Sequence, residues 1–308
     1  MRLFILFISF STFIINVTLC FKQVNFKTQT QSLNETLRLS AYFANAAYCP
    51  KWLLLKWKCG KPCSTITKGF RLIKYYEDWL LGSSAYIGEI GNKNKKEKQL
   101  VIAFRGTQNF QGIMVDLVGS KLDYSFENSK VHYGFLKAYD RLKKPMLLKL
   151  TELLTSEEYK DASILIVGHS LGGALGTFMG LDLKLNLKMN NTITINTFGA
   201  PRIGDFNFAK LVTKTFKNND NDNNKYSLLR VANTDDIITH LPLSKNGFYH
   251  NPHEILLFNN NTWKECNDLS LDPINGFEDP DCLNTSKNLN LYSHLAYFDL
   301  TFGLECTL

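Results

Sequence analysis

The sequence has 308 residues, of which 44% are hydrophobic, and this is ample for a sizeable core in one large domain. The formal net charge is +7, with several lysines gathered at residues 92–98. No aromatic or arginine-rich pattern accompanies them, so we expect no nucleic-acid partner. A weak attraction to anionic lipid surfaces fits this charge better.

The first twenty residues differ from the rest of the chain. Arg2 precedes an apolar stretch from Leu3 to Ile15, and small residues lead to Cys20. This pattern is typical of a secretory signal peptide cleaved after Cys20. A buried strand or a membrane anchor is the alternative, but the stretch is shorter than the ~20 residues that span a bilayer. We predict a signal peptide at 1–20, a secreted single domain at 21–308, and no stable transmembrane segment.

The cysteine count agrees with export. Removal of Cys20 leaves an even number, and in an exported chain six cysteines predict three disulfides among fifteen possible pairings. No histidine lies near Cys59 and Cys63, which disfavours a zinc site. We predict no metal and no organic cofactor. Four acceptor triplets are compatible with glycosylation, and they begin at Asn34, Asn190, Asn260 and Asn284.

Apolar runs and helical stretches alternate along the chain. Five short runs are typical of buried strands: Leu100–Phe104, Ser163–Val167, Thr192–Phe198, Tyr226–Ala232 and His253–Phe258. Longer periodic stretches at Leu136–Leu154 and Leu171–Leu187 predict helices between them. Strands that alternate with helices indicate an α/β fold with a largely parallel sheet.

A glycine-flanked serine lies between one such strand and the next helix. The stretch Gly168-His-Ser-Leu-Gly172 fits the pattern of a nucleophile elbow, in which small residues allow a sharp turn around Ser170. The N-terminus of the following helix would point its free N–H groups toward the serine oxygen. The alternative is a glycine-rich turn with a capping serine. We predict that Ser170 is a nucleophile.

A serine nucleophile needs a base, and the base needs an acid to orient it. In this architecture the three follow in the order Ser, Asp, His. Asp235 and Asp236 both follow a predicted strand, so this reasoning leaves the acid open between them. His294 is the last of the six histidines and is the best placed base.

Several stretches closely resemble the fungal-type class 3 lipases. They are Ala46–Cys49, Phe104-Arg-Gly-Thr107, Val131–Phe135, Gly168–Gly173, Thr197–Gly204, Asn233-x-x-Asp236 with Leu241-Pro242, and His294-Leu-x-Tyr297-Phe298. The resemblance covers roughly Ala46 to Cys306. It implies an α/β-hydrolase fold, a central sheet flanked by helices, and a short lid helix after the oxyanion turn.

The resemblance also implies roles for individual residues. The acid of the family stands three residues after the asparagine, which selects Asp236. The oxyanion donors are then Thr107, through its N–H and hydroxyl, and the N–H of Leu171. The implied disulfides are Cys49–Cys306, Cys59–Cys63 and Cys266–Cys282.

The segment after the oxyanion turn corresponds to the lid of the family. Its apolar stripe consists of Phe110, Ile113, Met114, Leu117 and Val118. A lid of this kind would expose the stripe at a lipid surface. An ordinary helix packed on the core is the alternative. Many relatives have a tryptophan where Ile113 stands, and Gly112 disfavours helix.

The resulting hypothesis is a secreted triacylglycerol lipase, a serine ester hydrolase that works through an acyl-enzyme. Its partner is lipid at an oil–water or membrane interface, and no protein partner is implied. A phospholipase of the A1 type or a feruloyl-type esterase is the alternative on the same scaffold. An inert lipase-like binding protein is the alternative of another class, although such proteins usually lose a member of the triad.

Overall fold

The computed structural model describes residues 32–91, 98–108, 119–217, 227–259, 262–266, 278–279, 281–283 and 286–307. The chain divides into two compact units, Met1–Leu39 and Ser40–Leu308. In the first unit the described residues, 32–39, are helical. The signal peptide predicted at 1–20 lies outside the described residues, and so does the lysine cluster at 92–97.

The second unit is built around an eight-stranded sheet. In chain order the strands are β1 (Arg71–Glu77), β2 (Ser84–Gly91), β3 (Lys98–Phe104), β6 (Ser163–His169), β7 (Ile193–Phe198), β8 (Leu228–Asn233), β9 (Glu254–Leu257) and β10 (Trp263–Glu265). They also lie in this order across the sheet. The strands from β3 to β9 run parallel, whereas β1, β2 and β10 are antiparallel to their neighbours. The predicted largely parallel sheet is confirmed.

The remaining elements precede, connect or follow the strands of this sheet. A small hairpin of β4 (Lys121–Asp123) and β5 (Lys130–His132) leads into a long helix, and a second small hairpin follows the last helix. The helices are α1 (Lys51–Leu54), α2 (Lys61–Ser64), α3 (Tyr133–Leu154), α4 (Leu171–Leu181), α5 (Phe206–Phe216) and α6 (Leu291–Leu295), and the second hairpin is β11 (Ala296–Tyr297) with β12 (Leu300–Thr301).

Helix α3 shows how the helices cover the sheet. Its buried residues recur every three or four positions, among them Leu142, Met146 and Leu150, and they belong to one apolar cluster with Ile102 of β3 and Ile166 of β6. This spacing gives the helix one apolar face. Burial of that face fixes α3 against the sheet.

The helix predicted at Leu171–Leu187 differs from the observed one. The α-helix α4 ends at Leu181, and the chain continues as a π-helix over Asp182–Asn186. The buried Asp182 carboxylate accepts hydrogen bonds from the Tyr139 hydroxyl (2.5 Å) and the Lys143 ammonium (3.1 Å) of α3, and from the Asn186 amide. The apolar periodicity of the local sequence predicts a regular α-helix. The hydrogen bonds to Asp182 come mainly from another helix, so the local periodicity does not reveal them.

Three disulfides are present in the second unit. They join Cys49 to Cys306, Cys59 to Cys63, and Cys266 to Cys282. These are the pairs that the resemblance implies. Among the described residues, no helix has the length and apolar character needed to span a membrane.

Candidate active site

The parallel strands bring their carboxyl ends to one edge of the sheet. The end of β3 lies beside β6, where Phe104 pairs with Gly168, and the end of β6 lies beside β7, where His169 pairs with Phe198. In open α/β sheets this edge is where ligands bind. The loops that follow β3, β6, β7 and β8 therefore build the candidate site.

Ser170 occupies a strained turn between β6 and α4. Its backbone angles are φ 58° and ψ −130°, a conformation that L residues rarely adopt. A Cβ atom at Gly168 would lie 2.1 Å from the Gly172 carbonyl oxygen, and one at Gly172 would lie 2.2 Å from the Phe104 carbonyl oxygen. Only glycine fits at both positions, which is the steric requirement of a nucleophile elbow.

The turn after β3 lies against this elbow. A Cβ atom at Gly106 would lie 2.6 Å from the His169 carbonyl oxygen and 3.1 Å from the Ser170 Cβ. Thr107 is the next residue after this close approach. Leu171 is the first residue of α4, and the first N–H groups of a helix have no partner within it. Both predicted oxyanion donors thus belong to segments that adjoin Ser170.

Asp236 and His294 form a buried pair. The His294 Nδ1 lies 3.0 Å from Oδ1 and 2.9 Å from Oδ2 of Asp236, and neither side chain is exposed. The neighbouring Asp235 points elsewhere, since its carboxylate accepts hydrogen bonds from the Ser286 hydroxyl (2.5 Å) and the Asn259 amide (3.0 Å). Of the two aspartates that the chain order leaves open, Asp236 is the one in contact with His294.

Two further groups hold the Asp236 carboxylate. The Ile238 N–H donates to Oδ1 at 2.8 Å, and the Tyr297 hydroxyl donates to Oδ2 at 2.6 Å. Burial and the Asp236 charge raise the pKa of Tyr297 well above its usual value, so the hydroxyl keeps its proton. The carboxylate is therefore fixed from two sides while it faces the imidazole.

Gly199 closes the other side of this cluster. Its φ is +57°, and a Cβ atom there would lie 2.8 Å from Asp236 Oδ2, 2.9 Å from the Tyr297 hydroxyl and 3.0 Å from His294 Cε1. Its neighbour Phe198 accepts the Ser170 N–H through its carbonyl at 2.8 Å. The turn after β7 thus touches both the elbow and the Asp236–His294 pair.

The histidine before the candidate nucleophile has a structural role. His169 Nε2 lies 2.7 Å from the His294 carbonyl, and Nδ1 lies 2.7 Å from the Tyr48 hydroxyl. Because a carbonyl only accepts, Nε2 carries the hydrogen and Nδ1 accepts from Tyr48. Burial, with the nearby His294, lowers the pKa of His169 well below its usual value. The neutral ring therefore ties the elbow to the backbone of His294.

A buried ion pair supports the loop that carries Asp236. Arg202 pairs with Glu278 at 2.6 Å, and its guanidinium also donates to the carbonyls of His240 and Pro242. Its N–H donates to the Leu241 carbonyl at 2.8 Å. Burial is the largest single effect and opposes ionisation of Glu278, but the Arg202 hydrogen bonds and the nearby positive charges together exceed it and lower the pKa of Glu278 to about 2. The pair stays charged at neutral pH and holds the backbone that follows the acid.

The comparisons with known proteins agree with this geometry. The family model described as lipase (class 3) matches residues 101–246. The lipases of Rhizomucor miehei and Rhizopus niveus are each 28% identical, and the alignments cover 90% and 85% of this chain. They cover 71% of the first protein and 63% of the second, so the chain spans less than two thirds of the Rhizopus niveus lipase.

A solved structure extends the match to the fold. The crystal structure of the lipase from Rhizopus microsporus var. chinensis has a TM-score of 0.74 and 28% identity, and the match covers 88% of this chain and 89% of that one. The chain is thus similar to the class 3 lipases in both sequence and fold. The predictions of a fungal-type class 3 lipase and of an α/β-hydrolase fold are confirmed.

One of the similar proteins is named as a phospholipase. The phospholipase A(1) DAD1, chloroplastic, of Arabidopsis thaliana is 30% identical over 201 residues, which are 57% of this chain and 43% of that protein. The proteins similar to this chain are thus named as lipases and as a phospholipase.

The described residues include most, but not all, of the predicted site. Ser170, Asp236, His294, Thr107 and Leu171 lie at the same edge of the sheet, whereas the predicted lid residues lie outside the described residues. Those lid residues are Phe110, Ile113, Met114 and Leu117. Sequence reasoning assigned no role to Gly199, Tyr297, Tyr48 or Arg202, although each of them stands within or beside a stretch that resembles the family.

Proposed function

We propose that this protein hydrolyses carboxylic esters of acylglycerols through a triad of Ser170, His294 and Asp236. The contact of the Asp236 carboxylate with His294 Nδ1 carries the proposal, because it leaves Nε2 as the basic atom of the imidazole. The strained elbow at Ser170 supports it from the other side.

In the first half of the proposed reaction, the Ser170 oxygen attacks the ester carbonyl and His294 Nε2 takes the hydroxyl proton. Asp236 holds the imidazole in the required tautomer and stabilises the imidazolium. Collapse of the tetrahedral intermediate breaks the bond to the alcohol, which receives the proton from His294. The acyl group is now bound to Ser170.

In the second half, water replaces the alcohol. His294 takes a proton from the water, the resulting hydroxide attacks the acyl-enzyme, and the proton returns to Ser170 as the fatty acid leaves. The oxyanion of both intermediates is assigned to the N–H groups of Thr107 and Leu171 and to the Thr107 hydroxyl. Donors of this kind are worth about 3 kcal/mol each.

The two adjacent aspartates provide a matched test of the triad. We expect Asp236→Asn to lower kcat on emulsified triolein by about 10³-fold or more, since the imidazole loses its orienting carboxylate. Asp235→Asn removes an equal charge one residue away, and we expect less than a threefold change. Equal losses in the two variants would contradict the assignment of the acid.

A second measurement tests Ser170 directly. A fluorophosphonate probe should label the wild-type chain and leave Ser170→Ala unlabelled, and the same variant should release no fatty acid from triolein. Release of fatty acid by Ser170→Ala at the wild-type rate would overturn the proposal. Labelling without turnover on any lipid would favour the inert lipase-like protein.

Phospholipids are the second candidate substrate, because a relative named as a phospholipase A(1) is 30% identical over part of the chain. The chemistry at Ser170 would be the same and the bound acyl ester would carry a phosphate headgroup. A panel of tributyrin, phosphatidylcholine and methyl ferulate separates the lipase, phospholipase and feruloyl-type esterase activities. We expect the highest kcat/KM on the acylglycerol.

We further propose that the protein is secreted, with 1–20 as signal peptide and residues 108–118 as a lid. The three disulfides support an oxidising compartment. N-terminal sequencing of the exported protein should begin at Phe21 or within two or three residues of it. Retention of Arg2 in the mature protein would overturn the signal peptide.

A further inference from the structure

The β1–β2 hairpin ends in a turn that exposes three consecutive apolar side chains. Trp79 is 86% exposed, and Leu80 and Leu81 are 58% and 51% exposed. Single exposed apolar residues are ordinary, but three that follow one another in a turn and are all exposed are unusual, and exposed apolar surface of this kind marks binding sites. We call these three side chains the hairpin tip.

The turn that carries the hairpin tip is held by Asp78. The Asp78 N–H donates to the Ser83 carbonyl at 2.8 Å, and its carboxylate accepts the Leu81 N–H at 2.8 Å and the Arg141 guanidinium at 2.9 Å. The Leu81 hydrogen bond, with Arg141, lowers the pKa of Asp78 below its usual value. The turn therefore keeps its shape, and the apolar side chains point outward without collapse onto the core.

The hairpin tip adjoins the candidate active site. Arg105 donates its N–H to the Ser84 carbonyl at 2.9 Å and its guanidinium to the Gly82 carbonyl. Gly106, the next residue, approaches Ser170 so closely that a Cβ atom would lie 3.1 Å from the Ser170 Cβ. One short segment thus joins the tip to the turn assigned to oxyanion binding.

A cationic side chain contacts the turn that carries the hairpin tip. Arg141, which bonds to Asp78, belongs to an exposed row on α3 with Lys137 and Lys144, spaced four and three residues from it. Residues at these spacings share one helix face. An apolar patch flanked by basic residues is complementary to a lipid surface with anionic headgroups, and tryptophan is enriched at such interfaces.

We propose that the hairpin tip docks this protein on an anionic lipid surface. Trp79, Leu80 and Leu81 insert at the boundary between headgroups and acyl chains, and the basic row of α3 faces the headgroups. The inference rests on the proposed function, because the docked tip would present the Ser170 edge to ester substrates. It adds a fixed anchor to the lid that the sequence predicts.

The shape of the hairpin tip favours lipid over protein as its occupant. Three side chains on a protruding turn offer far less area than the ~800 Å² per partner that a stable protein interface buries. Insertion into a lipid surface requires no complementary partner surface, because the apolar side chains only have to leave water. A second copy of the chain is therefore an outcome that the experiment tests.

Binding is measured in the Ser170→Ala background, where turnover cannot alter the lipid. Sucrose-loaded vesicles of phosphatidylcholine, or of equal parts phosphatidylcholine and phosphatidylglycerol, are sedimented with the full exported chain. The test variant is Leu80→Ser with Leu81→Ser. The matched control is Ile66→Ser with Leu304→Ser, which are 48% and 72% exposed. Ile66 suits the control because it lies before β1 in the chain, whereas the hairpin tip lies after the opposite end of that strand.

We expect the tip pair to weaken partitioning onto the mixed vesicles by about tenfold or more, and the control pair by less than twofold. Binding should be stronger on the mixed vesicles and should weaken with salt. Binding to vesicles should shift the tryptophan fluorescence of the parent protein to shorter wavelength, because Trp79 leaves water. Trp79→Phe should still sediment with vesicles, but most of this blue shift should be absent. Equal partitioning of tip and control pairs overturns the inference, and so does a concentration-dependent dimer that the tip pair abolishes.

The two proposals fail separately. If Ser170→Ala binds vesicles through the tip but the wild-type chain hydrolyses no ester, the proposed function is wrong and the docking surface stands. If the wild-type chain hydrolyses emulsified triolein and the tip pair binds vesicles as well as its parent, the docking surface is wrong and the proposed function stands.

Discussion

The Tyr297 hydroxyl donates a hydrogen bond to Asp236 Oδ2 over 2.6 Å, on the carboxylate that also faces the imidazole of His294. A carboxylate that accepts several hydrogen bonds is stabilised in its charged form. Tyr297 is therefore a positioning residue for the proposed triad, since it acts on His294 only through Asp236.

Replacement of Tyr297 by phenylalanine tests this role. We expect Tyr297→Phe to lower kcat about tenfold and the free energy of unfolding by about 1.5–3 kcal/mol, the usual contribution of a hydrogen bond to a charged group. Tyr139→Phe is the matched control. The Tyr139 hydroxyl donates a hydrogen bond of 2.5 Å to the buried carboxylate of Asp182, and this pair lies outside the candidate active site. It should lower stability by a similar amount with kcat changed less than twofold. Similar kcat losses in both variants would contradict a specific role for Tyr297.

A methyl group at position 199 should disturb the same cluster. In Gly199→Ala the new Cβ would meet the Asp236 carboxylate at 2.8 Å and His294 Cε1 at 3.0 Å, so both must move. We expect kcat on triolein to fall at least about 10²-fold, because a small misplacement of reacting groups costs this much.

The control for Gly199→Ala is Gly69→Ala. Gly69 also has a positive φ, +93°, but nothing lies within 4 Å of an added Cβ. Both variants lose about 1 kcal/mol or more of stability through backbone strain. If kcat falls equally in the two variants, strain rather than the contact with the triad is responsible.

The sequence predicts the elbow more completely than it predicts the surroundings of the acid. Gly168, Ser170 and Gly172 are close along the chain, so their spacing encodes the turn directly. The choice between Asp235 and Asp236 depends on a contact with His294, 58 residues away, and spacing alone leaves it open. The resemblance to the family selects Asp236, and in the structure Asp236 is the aspartate that contacts His294.

The roles of Gly199 and Arg202 are harder to predict from local sequence. Gly199 is required because three side chains from other segments converge on it, and Arg202 because two carbonyls of a later loop point at its guanidinium. Periodicity reports which face of an element is buried, but it does not report which distant groups meet there. The π-helix at Asp182–Asn186 was missed for the same reason.

Two buried histidines should make the fold less stable in mild acid. Burial, with the nearby His294, lowers the pKa of His169 well below 6.5. Burial also lowers the pKa of His250 well below 6.5, and there the charges of Arg230 and Arg202 act in the same direction while Glu278 opposes them. The unfolded chain binds these protons below pH 6.5 and the folded chain does not. Stability contributed by the neutral rings is therefore present above pH 6.5 and is lost as the pH falls below it, by about 1.4 kcal/mol per pH unit and group.

The variant His250→Gln isolates one of these protons. His250 Nε2 faces the Thr239 carbonyl at 2.7 Å, and the glutamine amide can donate in its place. The free energy of unfolding is measured with urea at several pH values between 6.5 and 5, and its slope against pH gives the number of protons taken up on unfolding. We expect this number to be smaller by about one in the variant than in the wild type. An unchanged slope would mean that His250 is protonated in the folded state.

The disulfides should differ in their contribution to the free energy of unfolding according to the length of the chain segment that each one closes into a loop. Cys49 and Cys306 are separated by 257 residues, whereas Cys59 and Cys63 are separated by four. In the loop-entropy account, the long link destabilises the unfolded chain by about 5.5 kcal/mol and the short link by about 2 kcal/mol, because each lowers its conformational entropy. We expect Cys49→Ser with Cys306→Ser to lower the free energy of unfolding more than Cys59→Ser with Cys63→Ser, measured by urea unfolding under oxidising conditions. The m-value should rise in the first pair, because its unfolded state becomes more extended. Equal costs in the two pairs would show that native contacts around the sulfurs, rather than chain entropy, set their contribution.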